Sequence, residues 1–442
     1  MTILAAVLTL LCALAIDPSR GPAVLAVVLC LSLSRSQLDI DRRGRIEAAF
    51  ALPIVGFAAA GVGSLLHNAP IVGAIVFVAG MFLSIWVRRF GAMARRAGSL
   101  IALPFVVLLT TPYMPPGPEA RLPAVLVPVV IALVALFWVS VLHALARRLR
   151  FLPPAREPAH QLPASSNSSS LRPIASTRMA IQMAVALAVS FLVGYVYFAE
   201  RWAWIVLTAF IVISGNRGRL DVAYKSGLRV MGAAVGTVLA LWLSLGVGTH
   251  NTATGPMILG ALFLGLWLRP LGYGWWALFV TLALALLQSF AGASAQPILW
   301  QRLEEILIGA VIGVASAWFV LPVRSSAAMR RRISDALAAL SEAMDPAIPV
   351  RQSHDFVAAL AGVEQMAPAF KASRLLTRRL RTVQPADWVD VLVACKQPAI
   401  ELIDKGETPG PVRKAVGKAR KSIREPAEIL PALLELRGSL GN

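Results

Sequence analysis

The sequence predicts an all-α polytopic membrane protein with about twelve transmembrane helices. These are arranged as two parallel six-helix repeats, followed by a C-terminal cytoplasmic helical region. Three observations predict it. Apolar residue types make up 57% of the 442 residues and charged types only 15%, with a mean hydropathy of +0.70; soluble domains sit near 45–50% and about 25%. The apolar residues are gathered into long runs. The connections between those runs alternate between basic and nearly uncharged.

The runs, in order, are 2–16, 21–34, 46–66, 70–87, 98–113, 122–145, 179–198, 202–215, 227–247, 255–268, 273–293 and 303–321. A helix needs roughly 20 residues to cross the hydrocarbon core, so the shorter runs must recruit flanking residues. In lipid the backbone must satisfy its own hydrogen bonds, and runs of this length do so as helices. The first run ends in Ala13-Leu14-Ala15, which has the form of a signal-peptidase site. No basic residue precedes it, as a signal peptide would require, so it is expected to stay as the first helix.

Orientation follows from Lys and Arg in the connections. Residues 35–45, 88–96, 147–178, 217–225 and 269–272 carry eighteen, while the intervening connections carry four: Arg20, Arg121, Arg201 and Arg302. The basic set is expected to be cytoplasmic. Both termini then lie inside a bacterial inner membrane. The net charge of +19 therefore reflects topology rather than nucleic-acid binding.

A repeat is visible at an offset of about 182 residues. Arg35-Ser-Gln-Leu-Asp39 aligns with Arg217-Gly-Arg-Leu-Asp221, and His67-Asn68 with His250-Asn251. An even helix count makes the two halves parallel. The expected domains are 1–149, the first repeat; 150–177, a flexible Pro/Ser-rich linker; 178–322, the second repeat; and 323–442, helical over roughly 325–344, 353–381, 385–404 and 409–424. From Arg324 onward there are 19 basic and 13 acidic residues. The run Arg330-Arg331-Arg332 suits either anionic lipid headgroups or an ordinary solvated face.

Ionisable and amide groups within apolar runs are functional candidates by default. Arg229 precedes Gly232 and Gly236 at helical spacing, on a face that lets another helix come close. It could hold a carboxylate through two parallel bonds, or extend to the headgroups. Gln182 and Gln288 are amides within spans, suited to ligand contact or to bonds between helices. Trp204 sits at a span edge, where it could stack on an aromatic substrate or serve as an interfacial belt residue. Glu304 and Glu305 open the twelfth run, and Glu305, Gly309 and Gly313 share one face. The two acids could exchange protons at the outer mouth, or simply complement a helix N-terminus. Asp17 and Glu200 occupy equivalent outer turns, as proton sites or as turn residues.

No P-loop, Gly-x-Ser-x-Gly or His-Glu-x-x-His pattern occurs, so the expectation is no enzyme activity and no cofactor. The three cysteines and five histidines form no disulfide framework or metal spacing.

Residues 178–322 resemble the fusaric-acid-resistance-like (FUSC) membrane proteins. That group includes bacterial aromatic acid exporters, with plant aluminium-activated malate channels as distant relatives. The resemblance rests on Glu200-Arg-Trp-Ala-Trp204 leading into Leu207-Thr208, on Arg229-Val-Met-Gly232-Ala-Ala-Val-Gly236-Thr237, and on Arg302-Leu-Glu304-Glu305 through Gly309, Gly313 and Leu321-Pro322. It implies efflux of aromatic or other organic acids, driven by the proton-motive force, with a periplasmic membrane-fusion adaptor as partner. Some relatives carry a large soluble region between the halves, whereas the 150–177 linker is short. A passive anion channel and a non-transporting membrane scaffold are the rival readings. A homo-oligomer is compatible with each.

Overall fold

The computed structural model describes residues 2–17, 61–90, 127–149, 175–198, 201–215, 217–246, 254–290, 295–345, 353–377, 383–407 and 409–441, with isolated positions between 23 and 126 and at 379. Every regular element among them is a helix. Four helical stretches, Pro70–Phe90, Val127–Ala146, Ser176–Tyr197 and Arg219–Leu243, are long and apolar enough to cross a membrane. Most of the runs 21–34, 46–66 and 98–113 lie outside the described residues.

The described residues form two compact units. One contains the helices through Phe319, apart from residues 215–224; the other contains 215–224 and the chain from Pro322 onward.

The first unit holds α1 (Thr2–Ile16), α2 (Pro70–Trp86), α3 (Val127–Arg148), α4 (Ala175–Tyr197), α5 (Trp202–Ile213), α6 (Arg219–Gly246, from Lys225), α7 (Thr254–Leu268), α8 (Tyr273–Phe290) and α9 (Ala295–Phe319). Its outer faces are apolar: Ile71 is 71% exposed, Leu192 64% and Trp267 68%. Side chains of this kind on long helices belong against hydrocarbon rather than water. Among these helices α1 packs on α3 and α4 packs on α9. In addition, α2 packs on α4. There the Phe77 ring meets Phe191 edge-on at 5.4 Å, and the Tyr195 hydroxyl donates to the Pro70 carbonyl at 3.1 Å.

Small residues set the tightest contacts, as packing between helices in lipid requires. Gly232 and Gly236 press α6 onto α8. A methyl group at Gly232 would lie 2.8 Å from both the Gly274 carbonyl oxygen and the Ala277 Cβ, and one at Gly236 2.6 Å from the Leu278 carbonyl. Gly309 and Gly313 do the same for α9 on α5, against Ile205, Thr208 and Val212.

The second unit holds α10 (Ser325–Ala343), α11 (His354–Glu364), α12 (Ala367–Thr377), α13 (Pro385–Ala394), α14 (Lys396–Asp404), α15 (Gly410–Ser422) and α16 (Pro426–Leu440). One core joins them, built on Ile333, Leu337, Phe356, Leu392, Val416 and Leu433. Residues 215–224 are bound into it: the Leu220 amide donates to Ser325 Oγ at 2.9 Å and Arg217 to the Gln365 side chain at 2.7 Å. Gly218, at φ +138°, lets Ser325 come within 2.7 Å of where a Cβ would sit. Arg374 ties α12 to α13 through Asp387 at 2.9 Å and Asp390 at 2.8 Å. Partial burial opposes the charge on Asp390, but the bonds from Lys371 and Arg374 outweigh it and hold the carboxyl below the ordinary carboxylate range.

The helices expected over 353–381 and 385–404 are each divided. Proline removes an N–H and clashes with the carbonyl four residues earlier. Pro368 does this to Glu364, where α11 ends, and Pro398 to Ala394, where α13 ends. Conversely α16, which the sequence pattern does not predict, forms despite Pro431, with Ile429, Leu433, Leu436 and Leu440 buried on one stripe.

Candidate functional site

The candidate site lies in the first unit, where α5, α6 and α9 bring charges into an apolar interior. Its starting point is α9. The helix begins at Ala295 and has no acid in its first turn. Glu305 is therefore its eleventh residue, about 15 Å along the axis at 1.5 Å per residue. The helix-dipole explanation for this carboxylate falls away, because that effect is confined to the first turn. Glu305 is 1% exposed, and Arg302, one turn earlier on the same face, is 3% exposed. Glu304 is exposed.

Two elements face this stripe. From the turn before α5, Arg201 places its Nε 3.6 Å from Glu305 Oε1 and donates through Nη1 to Gln301 Oε1. From α5, Trp204 lies under Arg302, with the guanidinium carbon 3.9 Å from the ring centroid. The close approach of α5 and α9 at Gly309 makes both contacts possible. α6 brings the third arginine. Arg229 is its eleventh residue, is 3% exposed, and lies close enough to Arg302 for the two charges to repel. An arginine reaching to headgroups keeps its guanidinium accessible; Arg229 does not. Among the described residues its Nε has no hydrogen-bond partner, and neither does Glu305 Oε1.

Two guanidinium groups, those of Arg201 and Arg302, thus flank one buried carboxylate, and a third, that of Arg229, stands beside Arg302. Burying a charge is unfavourable unless it is paired, and at this site positive charge exceeds negative. A bound anion is what would offset such an excess. Arg201, 41% exposed, connects the cluster to the surface.

The remaining sequence candidates divide. Gln182 is fully buried, and its Nε2 donates to the carbonyls of Val320 at 2.8 Å and Leu321 at 3.3 Å. Helix ends leave such carbonyls without partners. Here α9 ends at a left-handed Leu321 (φ 46°), so this end of the amide closes a helix terminus. Asp17 is buried at the end of α1. Gln288 lies on α8, but its side chain is outside the described residues, and so is Glu200. Arg201 and Arg302 are the members that sequence reasoning missed, because both count there as charges of outer connections. The signal for Arg302 is its three-residue spacing from Glu305, which acquires meaning once the helix is extended back to Ala295.

These helices and their lipid-facing surfaces define a helical membrane protein. Within it, residues 184–316 match the family model described as fusaric acid resistance protein-like. This bears out, over that segment, the resemblance read from residues 178–322. The match contains Arg201, Trp204, Arg229, Arg302 and Glu305, whereas Gln182 and Asp17 fall outside it. No curated protein and no solved structure matches the chain.

Proposed function

We propose that the protein is a membrane efflux transporter for organic acids, aromatic acids among them, powered by the proton-motive force. One observation carries this reading: an arginine-rich, anion-seeking cluster buried inside the fusaric acid resistance protein-like segment. Arg229 contacts the substrate carboxylate, and Trp204 together with the stacked Arg302 lines the route. Glu305 is the acid placed to exchange protons, with exposed Glu304 beside it. Gln288, Glu200 and Asp17 keep the substrate, gating and proton roles given by their positions in the sequence. A periplasmic membrane-fusion adaptor is the proposed partner.

The electrical part of the proton-motive force favours this direction. Moving one negative charge out of a cell whose interior is negative is downhill by about 2.3 kcal/mol per 100 mV. The test uses proteoliposomes with an imposed potential and no pH gradient. Flux of p-hydroxybenzoate toward the positive side is expected to exceed that of empty vesicles severalfold; equal flux would remove the transport reading. A second reading, passive anion conduction, is favoured by the scarcity of proton carriers. Among the described residues of the first unit, the buried carboxylates are Asp17 and Glu305. Accumulation of substrate against its own gradient, driven by pH alone, would exclude it.

We place the chain in the inner membrane with both termini cytoplasmic, on the strength of the eighteen-to-four distribution of Lys and Arg. A reporter fused after Asn442 should be active in the cytoplasm. Activity in the periplasm would reverse the proposed orientation.

A further inference from the structure

We propose that Arg229 and Arg302 form an internal anion site in which the Glu305 carboxylate is the resident counter-ion, and that a substrate carboxylate binds by taking its place. The inference rests on the transport reading above and names the group of the substrate that is recognised, a carboxylate.

The charges argue for displacement rather than for a fixed structural ion pair. Arg302 and Glu305 are one helical turn apart on α9, and both are almost wholly buried. Arg229, equally buried, adds a second positive charge from α6. Glu305 is drawn in two directions, toward Arg302 on its own helix and toward Arg201 at 3.6 Å. Among the described residues its Oε1 closes no hydrogen bond in either direction, and the Arg229 Nε is likewise without one. A buried ion pair adds to stability only when its geometry is good and its remaining donors and acceptors are satisfied. Glu305 Oε1 and Arg229 Nε fall short of the second condition, so these two atoms hold unused hydrogen-bonding capacity where buried positive charge exceeds negative.

Glu305 also indicates which ligand fits. A carboxylate is the group already tolerated beside these guanidinium groups, and guanidinium binds carboxylates through a planar fork. Arg201 supplies the other half of the exchange. Being partly exposed, it can retain the Glu305 carboxylate after an incoming anion has taken over Arg302 and Arg229. The groups facing Glu305 are then Arg201 from the turn before α5, Arg302 and Glu304 from α9, and Arg229 from α6 through Arg302.

The deciding variant is Glu305→Gln in the full-length protein in lipid nanodiscs, with p-hydroxybenzoate as the probe. Removing the resident counter-ion should tighten binding by about fivefold or more, in line with the coupling measured for close charge pairs. A residue serving only to support the structure would weaken binding or leave it unchanged. Arg302→Gln should weaken binding by about tenfold, a typical effect of losing a charged hydrogen-bond partner. Unchanged or weaker binding by a folded Glu305→Gln protein overturns the proposal. Should that variant fail to fold, the wild type decides. It should bind p-hydroxybenzoate about a hundredfold more tightly than the neutral p-hydroxybenzamide, as the loss of a buried charge-assisted pair implies, and equal affinity for the two would overturn the displacement model. A wild type that neither binds nor moves p-hydroxybenzoate would instead count against the transport reading itself. Transport that persists without tightening in Glu305→Gln would count against displacement alone.

Discussion

Leucine in place of Gly309 should keep α5 and α9 from packing together, and transport should be lost with that contact. A Cβ at this position would stand 2.5 Å from the Ile205 carbonyl oxygen and 2.9 Å from the Thr208 Cβ. The first obstacle is backbone of α5, which cannot turn aside as a flexible side chain can. Overpacking of a close contact typically costs about 1–3 kcal/mol for added methylenes, so alanine alone should lower the melting temperature measurably. Leucine would have to separate α5 from α9. That separation would also break the contacts of Arg201 and Trp204 with the α9 stripe, because those depend on the same approach.

Two glycines serve as controls. At Gly313 the nearest obstacle is the Val212 side chain at 3.0 Å, so alanine there should be milder. At Gly260 no atom of the described residues comes within 4 Å of where a Cβ would sit. Alanine there should be neutral or stabilising by up to about 1 kcal/mol, since it is the better helix former. Thermal melts in detergent of the three alanine variants should follow the order Gly309, Gly313, Gly260. Equal melts would show that the α5–α9 contact is not what holds this half together.

The glycine faces are legible in the sequence because their signal is local: a small residue every fourth position marks one stripe of a helix, whatever it packs on. The cluster beside them is only half legible. Arg229, Trp204 and Glu305 stand out as polar groups in apolar runs, but Arg302 reads as part of a connection because the last apolar run starts only at residue 303, with Pro297 a little before it. A proline in the first turn of a helix starts it rather than breaks it, so α9 runs through the position where the sequence pattern puts its mouth. Pro368 and Pro398 mislead in the opposite sense, since a long amphipathic pattern conceals two real breaks. Gln182 is recognisable as an amide within a span. What the sequence does not reveal is its partner, a pair of carbonyls 138 and 139 residues away. Spacing within a sequence identifies polar groups that need partners, and only the packing of distant helices decides whether those partners are backbone, another side chain or a ligand.

Arg229→Ala should separate function from stability in a way no structural role would allow. As a buried cation beside Arg302, with an Nε that lacks a partner among the described residues, Arg229 is a destabilising charge in the folded protein. Its removal relieves the repulsion from Arg302 and the desolvation of a buried charge, so the melting temperature should hold or rise. Export of p-hydroxybenzoate should fall by about tenfold or more, the usual consequence of losing one partner of a charge-assisted hydrogen bond. Lysine should restore part of the flux, since it keeps the charge but not the fork. A variant that melts earlier and exports less would make Arg229 a packing residue, and one that exports at the wild-type rate would take it out of the pathway. The expected combination, a sturdier protein that no longer moves its anion, follows from the same excess of buried positive charge: what destabilises the cluster is what would draw in an anionic substrate.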